Sequence, residues 1–304
     1  MLRVRYQRAI REIELTVRRL ANAATVGRYR SAFKGRGMAF SEVRQYQHGD
    51  DIRDIDWKVM ARTGQPHVRC YEEERELTVL LMVDVSASLS FGTGVWSKRE
   101  LAALVTGLLA LVAHRGRDRV GLLTFAGNVQ RFVAPARGEA HALRLIEEVL
   151  AETPAASPGS SSDLALALAQ AWRALTSTAL VFLVSDFLAT DYELGLSVAA
   201  RRHEVVPIRI SDPAERPAPT GELPIPAAGL LRLQDPESPG GTVILDSSNT
   251  AVRASLAAAL HRHRAETERI MRRCNLNLLE LSTAGDFEQD MVRFFRRRAL
   301  TSLR

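Results

Sequence analysis

A chain of 304 residues exceeds the usual single-domain size, so one large domain with an appendage, or two domains, is expected. With 46% apolar and 25% charged residues and no low-complexity segment, it has the composition of an ordinary soluble globular protein. Two cysteines, Cys70 and Cys274, are too few for a disulfide framework and lack metal-ligand spacing, which points to a reducing, cytoplasmic setting. The longest apolar run, Leu101 to Ala113, is too short to span a bilayer, and the N-terminus carries no signal-peptide core.

The net charge of +6 is almost wholly arginine, since lysine occurs only at positions 34, 58 and 98. Much of that basicity lies at the two ends, from Arg3 to Arg30 and from Phe294 onward. The first segment reads as an amphipathic helix with Ile10, Ile13, Val17 and Leu20 on one face. Docking of that helix on the body, arginines in water, is the favoured reading over contact with an anionic membrane surface. No base-reading motif or aromatic-interleaved basic stripe supports nucleic-acid binding.

Strand-like and helix-like segments then alternate. Leu77 to Asp84 reads as a buried strand and Lys98 to Arg115 as a helix that is apolar nearly all round. Arg119 to Phe125 and Val129 to Val133 flank Gly127-Asn128 as a hairpin. Helices follow at His141 to Ala151 and Asp163 to Leu175, then a second buried strand at Leu180 to Ser185. A helix at Asp191 to Arg202, a strand at Val205 to Ile210, a long helix from Thr250 to Cys274, a strand at Leu276 to Leu281 and a helix at Phe287 to Arg298 complete the pattern. Such alternation implies crossover connections and a doubly wound, mainly parallel sheet flanked by helices. The Pro-rich stretch 211–248, with strand-like pieces at Leu230 to Leu233 and Thr242 to Leu245, reads as an insertion. The expected organisation is therefore an N-terminal segment 1–75, an α/β domain 76–298 and a basic tail 299–304.

In an open parallel sheet, ligands bind beyond the carboxyl ends of the strands where the order reverses. Asp84 ends the first buried strand, with Ser86 and Ser88 two and four residues on, so that in extended chain all three point one way. Asp186 ends the second buried strand, and Ser162 lies just ahead of a helix in SSSDLALAL. Oxygen ligands from three loops suit a hard divalent cation, Mg²⁺ or Mn²⁺ better than Ca²⁺, since Mg²⁺ needs only one or two carboxylates. Taken singly, Asp84 is also a plain strand end, and the serines and Asp186 are also helix caps.

DVSAS, SSSDLALAL and VFLVSDF together resemble the metal-ion-dependent adhesion site of von Willebrand factor type A domains. The resemblance puts Asp84, Ser86 and Ser88 in its first cluster, Ser162 at its threonine position and Asp186 at its last aspartate. Upstream, KGRGMAFSEVRQYQHGDDIRDIDWKVMARTGQPHVRCYEEE resembles the signature of the family called domain of unknown function 58, at Gly49, Asp50, Arg53, Asp56, Trp57, Ala61 and Arg62. That family implies a bacterial cytoplasmic protein with a type A domain, often encoded beside a MoxR-type AAA+ ATPase. Read from its residues alone, this segment interleaves Asp50, Asp51, Asp54 and Asp56 with Arg44, Arg53, Lys58 and Arg62. The expectation is a salt-bridged segment locked on the domain with Trp57 as a buried apolar anchor.

Three functions are compatible with this sequence. The first is a binding module whose rim cation takes an Asp or Glu from a protein partner. The second is a Mg²⁺-dependent hydrolase or phosphotransfer enzyme at the same site. Against it, GTGVWSK from Gly92 lacks the second glycine of a phosphate loop, and no histidine or lysine is expected to join the site. The third is a basic protein held at a membrane surface. The first is the reading adopted, without catalysis.

Overall fold

The long apolar runs of the sequence become the middle of one sheet. A computed structural model describes residues 18, 20–21, 23–33, 42–47, 57–70, 76–151, 163–216, 225, 227–234 and 241–302. In chain order the elements are α1 (Ala23–Phe33), β1 (Glu42–Gln45), α2 (Trp57–Thr63), β2 (His67–Cys70), β3 (Thr78–Asp84), α3 (Lys98–Arg115), β4 (Arg119–Phe125), β5 (Val129–Ala136) and α4 (Glu139–Ala151). They continue with α5 (Leu164–Ala174), β6 (Leu180–Ser185), α6 (Glu193–Arg202), β7 (Glu204–Ser211), β8 (Leu230–Gln234), β9 (Thr242–Asp246), α7 (Thr250–Arg273), β10 (Leu279–Ser282) and α8 (Phe287–Ser302).

The main sheet runs β10-β7-β6-β3-β4-β5, parallel throughout except for the β4–β5 hairpin. Counting only its own strands in chain order, this is the doubly wound order 3-2-1-4-5-6, whose direction of winding reverses between β3 and β6. β3 and β6 are apolar at nearly every position because both faces are covered. On one face α3 packs with α1, α4 and α8 around Leu81, Val83, Leu122 and Phe182. On the other, α5 and α6 cover Leu80, Met82, Leu123, Val181 and Leu183, joined by the C-terminal turn of α7.

α1 docks against this body through Tyr29, Ala32 and Phe33, with Phe33 edge-on to Phe182 and Phe295. Tyr29 Oη also donates to the buried Asp118 carboxylate at 3.2 Å. The expected apolar face at Ile10, Ile13 and Val17 lies outside the described residues, whereas Leu20 is buried. Where the reading expects one strand from Leu276, β10 begins at Leu279. The reason lies in the end of α7: Asn275 adopts φ 56, and Leu276 N–H reaches back to the Met271 carbonyl at 2.9 Å. That left-handed cap consumes the residues that would otherwise extend the strand.

The Pro-rich stretch contributes an antiparallel β8–β9 ladder separate from the main sheet. Upstream, β1 and β2 pair antiparallel. Asp50, Asp51, Arg53, Asp54 and Asp56 fall outside the described residues. One expectation here is overturned. Trp57, taken as a buried anchor, is 62% exposed, because it opens the short helix α2 on a face that nothing among the described residues covers.

Candidate functional site

β3 and β6 are neighbours, so their last residues meet where the winding reverses. Asp84 is fully buried there. Its Oδ1 accepts from the Ser86 N–H at 2.9 Å and its Oδ2 from the Ser185 hydroxyl at 2.8 Å. Ser185 Oγ in turn accepts from the Phe187 N–H at 2.9 Å, which ties the end of β6 to the end of β3. Ser86 and Ser88 share a hydrogen bond between their hydroxyls at 3.0 Å, side by side beyond β3 as their spacing predicts. Asp186 is also buried, and its Oδ1 accepts from the Leu188 N–H at 3.3 Å. Ser162 lies outside the described residues, but the start of its helix is fixed: Asp163 caps α5 through Leu166 N–H and donates its own N–H to the Ala126 carbonyl at the tip of the β4–β5 hairpin.

The structure corrects one expectation at this site, because a lysine does join it. Lys98 is fully buried, and its ammonium donates to Asp186 Oδ2 at 2.9 Å and to Glu215 Oε1 at 2.7 Å. Burial alone would lower its pKa, but Asp186 and Glu215 together raise it, so it is a cation. Arg99, the next residue, donates to the carbonyls of Val85 at 2.7 Å and Ser86 at 3.2 Å and so holds the loop that carries the serines. A histidine stands close as well: His263 feels the charges of Asp186 and Glu215, although burial and then Arg209 lower its pKa.

Local sequence explains how Lys98 arrives. Ser97 caps α3 in a reciprocal box with Glu100, which makes Lys98 and Arg99 the first two helical residues. The loop before them turns so tightly that a Cβ on Gly92 would meet the Ser97 Cα at 2.6 Å. Asp212, after β7, binds that loop to the Glu215 turn. It accepts from Thr93 N–H at 2.8 Å, Thr93 Oγ1 at 2.6 Å, Thr283 Oγ1 at 2.6 Å and Ala214 N–H at 2.9 Å. Burial works to raise the Asp212 pKa, but these donors outweigh it and hold the group low. Sequence reasoning missed Lys98, Arg99, Ser185, Asp212 and Glu215. The available signal was a pair of cations at a helix start, where the dipole disfavours them.

The electrostatics are those of an acidic corner. The Asp84 pKa is raised to about 6, first by burial and then by the charge of Asp186, against opposing hydrogen bonds from Ser86 and Ser185. No cluster of three or more His, Cys, Asp or Glu side chains forms a metal cage among the described residues. What the corner offers is different: two carboxylates that repel and two adjacent hydroxyls, a hard-oxygen donor set that fits a divalent cation of the magnesium type.

A doubly wound sheet with one antiparallel edge strand and this Asp-Ser-Ser cluster at its winding reversal defines a von Willebrand factor type A-like protein. The chain belongs to the family described as "Protein of unknown function DUF58", whose profile matches residues 42–266. Among its relatives, "Uncharacterized protein Rv1480" of Mycobacterium tuberculosis is 36% identical over 287 residues, covering 94% of this chain and 87% of that protein. "Uncharacterized protein Mb1516" of Mycobacterium bovis matches to the same extent. Similar solved structures include the conserved hypothetical protein BatB from Bacteroides thetaiotaomicron, at TM-score 0.49 and 15% identity, covering 74% of this chain and 99% of that one. The SpRpn10 VWA domain aligns at TM-score 0.39 and 10% identity, over 72% of this chain and 95% of that one. With scores this low, the fold assignment rests on the strand order. No helix among the described residues is long and apolar enough to cross a membrane.

Proposed function

We propose that this chain is a metal-ion-dependent protein-interaction module. Asp84, Ser86, Ser88 and Asp186, with Ser162 from the loop ahead of α5, would hold one Mg²⁺ or Mn²⁺ at the carboxyl edge of the sheet. A divalent ion bound there supplies an open coordination position for the carboxylate of a partner's Asp or Glu. The observation that supports this most is the burial of Asp84 against the charge of Asp186 beside a hydroxyl pair. Bringing two carboxylates together costs stability, and a cation recovers it.

The residues around the ligands favour binding over catalysis. Lys98, the basic group nearest the site, is committed to two carboxylates and is not positioned as a proton acceptor. Arg99 and Ser185 fix the geometry of the loop and strand ends rather than facing a reactant. The partner class that the family resemblance implies is a MoxR-type AAA+ ATPase in a bacterial cytoplasm, with this chain as its adaptor in assembly or stress-related maturation.

Thermal melts of the whole chain with Mg²⁺, Mn²⁺ or EDTA test the metal, and pull-downs from the native cell under the same conditions test the partner. Saturating metal at one hundred times Kd should stabilise by about 2.7 kcal/mol. Asp84→Ala should remove both the metal-dependent shift and the chelator-sensitive capture while leaving the fold intact. A wild-type melt indifferent to all three conditions, with and without the captured partner, would overturn the reading.

A further inference from the structure

Lys98 violates two local rules at once. It is a lysine with no exposed surface, and it sits at the first position of α3, where the helix dipole opposes a positive charge. A residue placed against its local preferences is held there by something specific, here two carboxylates on two different loops. They differ in kind. Asp186 follows directly on β6 and belongs to the oxygen set described above. Glu215 belongs to the turn after β7, and its side chain is 30% exposed.

Glu215 is itself built in. Its Oε2 accepts from the Asp212 N–H at 3.1 Å while its Oε1 receives the lysine, and Asp212 also grips Thr93 in the loop that leads into α3. Loop and turn are thus one clasp, with the ammonium inside it.

We propose that Lys98 is a resident cation that competes with the divalent ion for Asp186, and that Glu215 is the acid to which the ammonium withdraws when the ion binds. The inference rests on the metal reading given above and concerns how that site is regulated. An ammonium at 2.9 Å occupies lone pairs of Asp186 and repels a second cation close by. Here the second acid lies on the outer side, so the lysine can leave Asp186 without becoming an unpaired buried charge, the costly outcome in a protein interior. The device sets metal affinity below what the donor set alone would give. It also links that affinity to the 213–215 turn, so a ligand that moves this turn changes metal occupancy.

The test is a Mn²⁺ titration of the full-length protein, read by the electron paramagnetic resonance of free Mn²⁺, for wild type, Lys98→Met and Glu215→Gln. Removing the competitor in Lys98→Met should tighten binding tenfold or more, and should reveal binding even where wild type shows none. Glu215→Gln, a milder change on a partly exposed side chain, should weaken binding severalfold, because the ammonium then rests on Asp186 alone. If Lys98→Met does not fold, Glu215→Gln decides: unchanged or tighter binding overturns the proposal. Wild type that binds Mn²⁺ with Lys98→Met no tighter would overturn the competition while leaving the metal site standing. Failure of Mn²⁺ to bind to wild type and Lys98→Met alike would remove the metal reading, and this inference with it.

Discussion

Lys98, at the start of α3, and Arg209, in β7, are both buried cations set between two carboxylates, yet their surroundings are balanced differently. Arg209, in β7 opposite Ser185, pairs with Glu280 and, at 3.7 Å, with Glu268. Arg264 and Arg216 crowd the same two acids, Arg264 reaching Glu280 at 2.6 Å and Glu268 at 3.1 Å, and Arg216 reaching Glu280 at 3.2 Å. Burial and then the charge of Arg264 bring the Arg209 pKa down to about 10, which leaves it charged at neutral pH. At the Lys98 corner an acid is perturbed instead, Asp84, pushed up first by burial and then by the neighbouring carboxylate. A region whose arginines repel one another has no use for a further cation. One whose carboxylates repel one another has a place for it, and that contrast separates a brace from a candidate cation site.

The sharpest way to break the comparison is to remove the brace. Arg209→Ala leaves Glu280 and Glu268 part-buried beside a gap, and loss of one partner of a buried pair typically costs about 3 kcal/mol or more. The loss should be the same in Mn²⁺ and in EDTA when followed by thermal or urea unfolding. A loss that Mn²⁺ reverses would mean that the arginine network belongs to the acidic corner after all.

The acidic corner responds to pH instead. A carboxylate whose folded pKa is raised to about 6 destabilises the fold when ionised. The penalty is absent well below the ordinary aspartate value, grows as pH rises toward 6, and is fully present above it. Asp84→Asn removes that titration. Without metal, the mutant should therefore gain on the wild type as pH rises from 4.5 to 7.5, by on the order of 1–2 kcal/mol. Equal pH profiles for the two proteins in EDTA would show that Asp84 is already compensated.

The legible part of this protein is the part that repeats along the chain. β3, β6 and α3 announce themselves by unbroken apolar runs, and Asp84, Ser86, Ser88 and Asp186 by standing where those runs stop, so the parallel sheet and the candidate ligand loops follow from local pattern. Lys98 and Glu215 do not, because their meaning is a contact across 117 residues of chain. Lys98 reads locally as the end of a failed phosphate loop, and Glu215 as one charge in a proline-rich stretch. The Asp212 clasp was hidden in the same way, its threonine partners lying 119 and 71 residues away. Trp57 misled for the opposite reason: a large ring suggests burial, and no local signal says that its helix lies on an open face.

A smaller effect is expected where α1 meets the body. Tyr29→Phe keeps the ring against Phe33 and Phe295 but deletes the hydroxyl that donates to Asp118, which retains the Leu77 N–H at 3.0 Å. One hydrogen bond to a charged acceptor is worth about 1.5 kcal/mol net, and urea unfolding should register that loss without any change in metal response. A change of Mn²⁺ affinity in this variant would mean that the contact of Phe33 with Phe182 of β6 carries the effect of α1 to the carboxyl end of the sheet.

The smallest expected effect on stability belongs to the residue that the sequence marks most strongly as an anchor. Trp57 leaves most of its ring in water, and substitutions at such surfaces usually change stability by no more than about 0.5 kcal/mol. Trp57→Ala should therefore melt within a degree or so of wild type. The exposed ring must then matter, if it matters, through what it touches in a complex. Exposed tryptophans are costly to keep in water and are the residues most often found at the centres of interfaces. The expected result is a split: unaltered unfolding, unaltered Mn²⁺ binding, and weakened capture of the partner that Asp84→Ala also loses. A fall in melting temperature of several degrees would restore the buried-anchor reading of this segment. Capture that survives Trp57→Ala would confine partner recognition to the rim of the sheet.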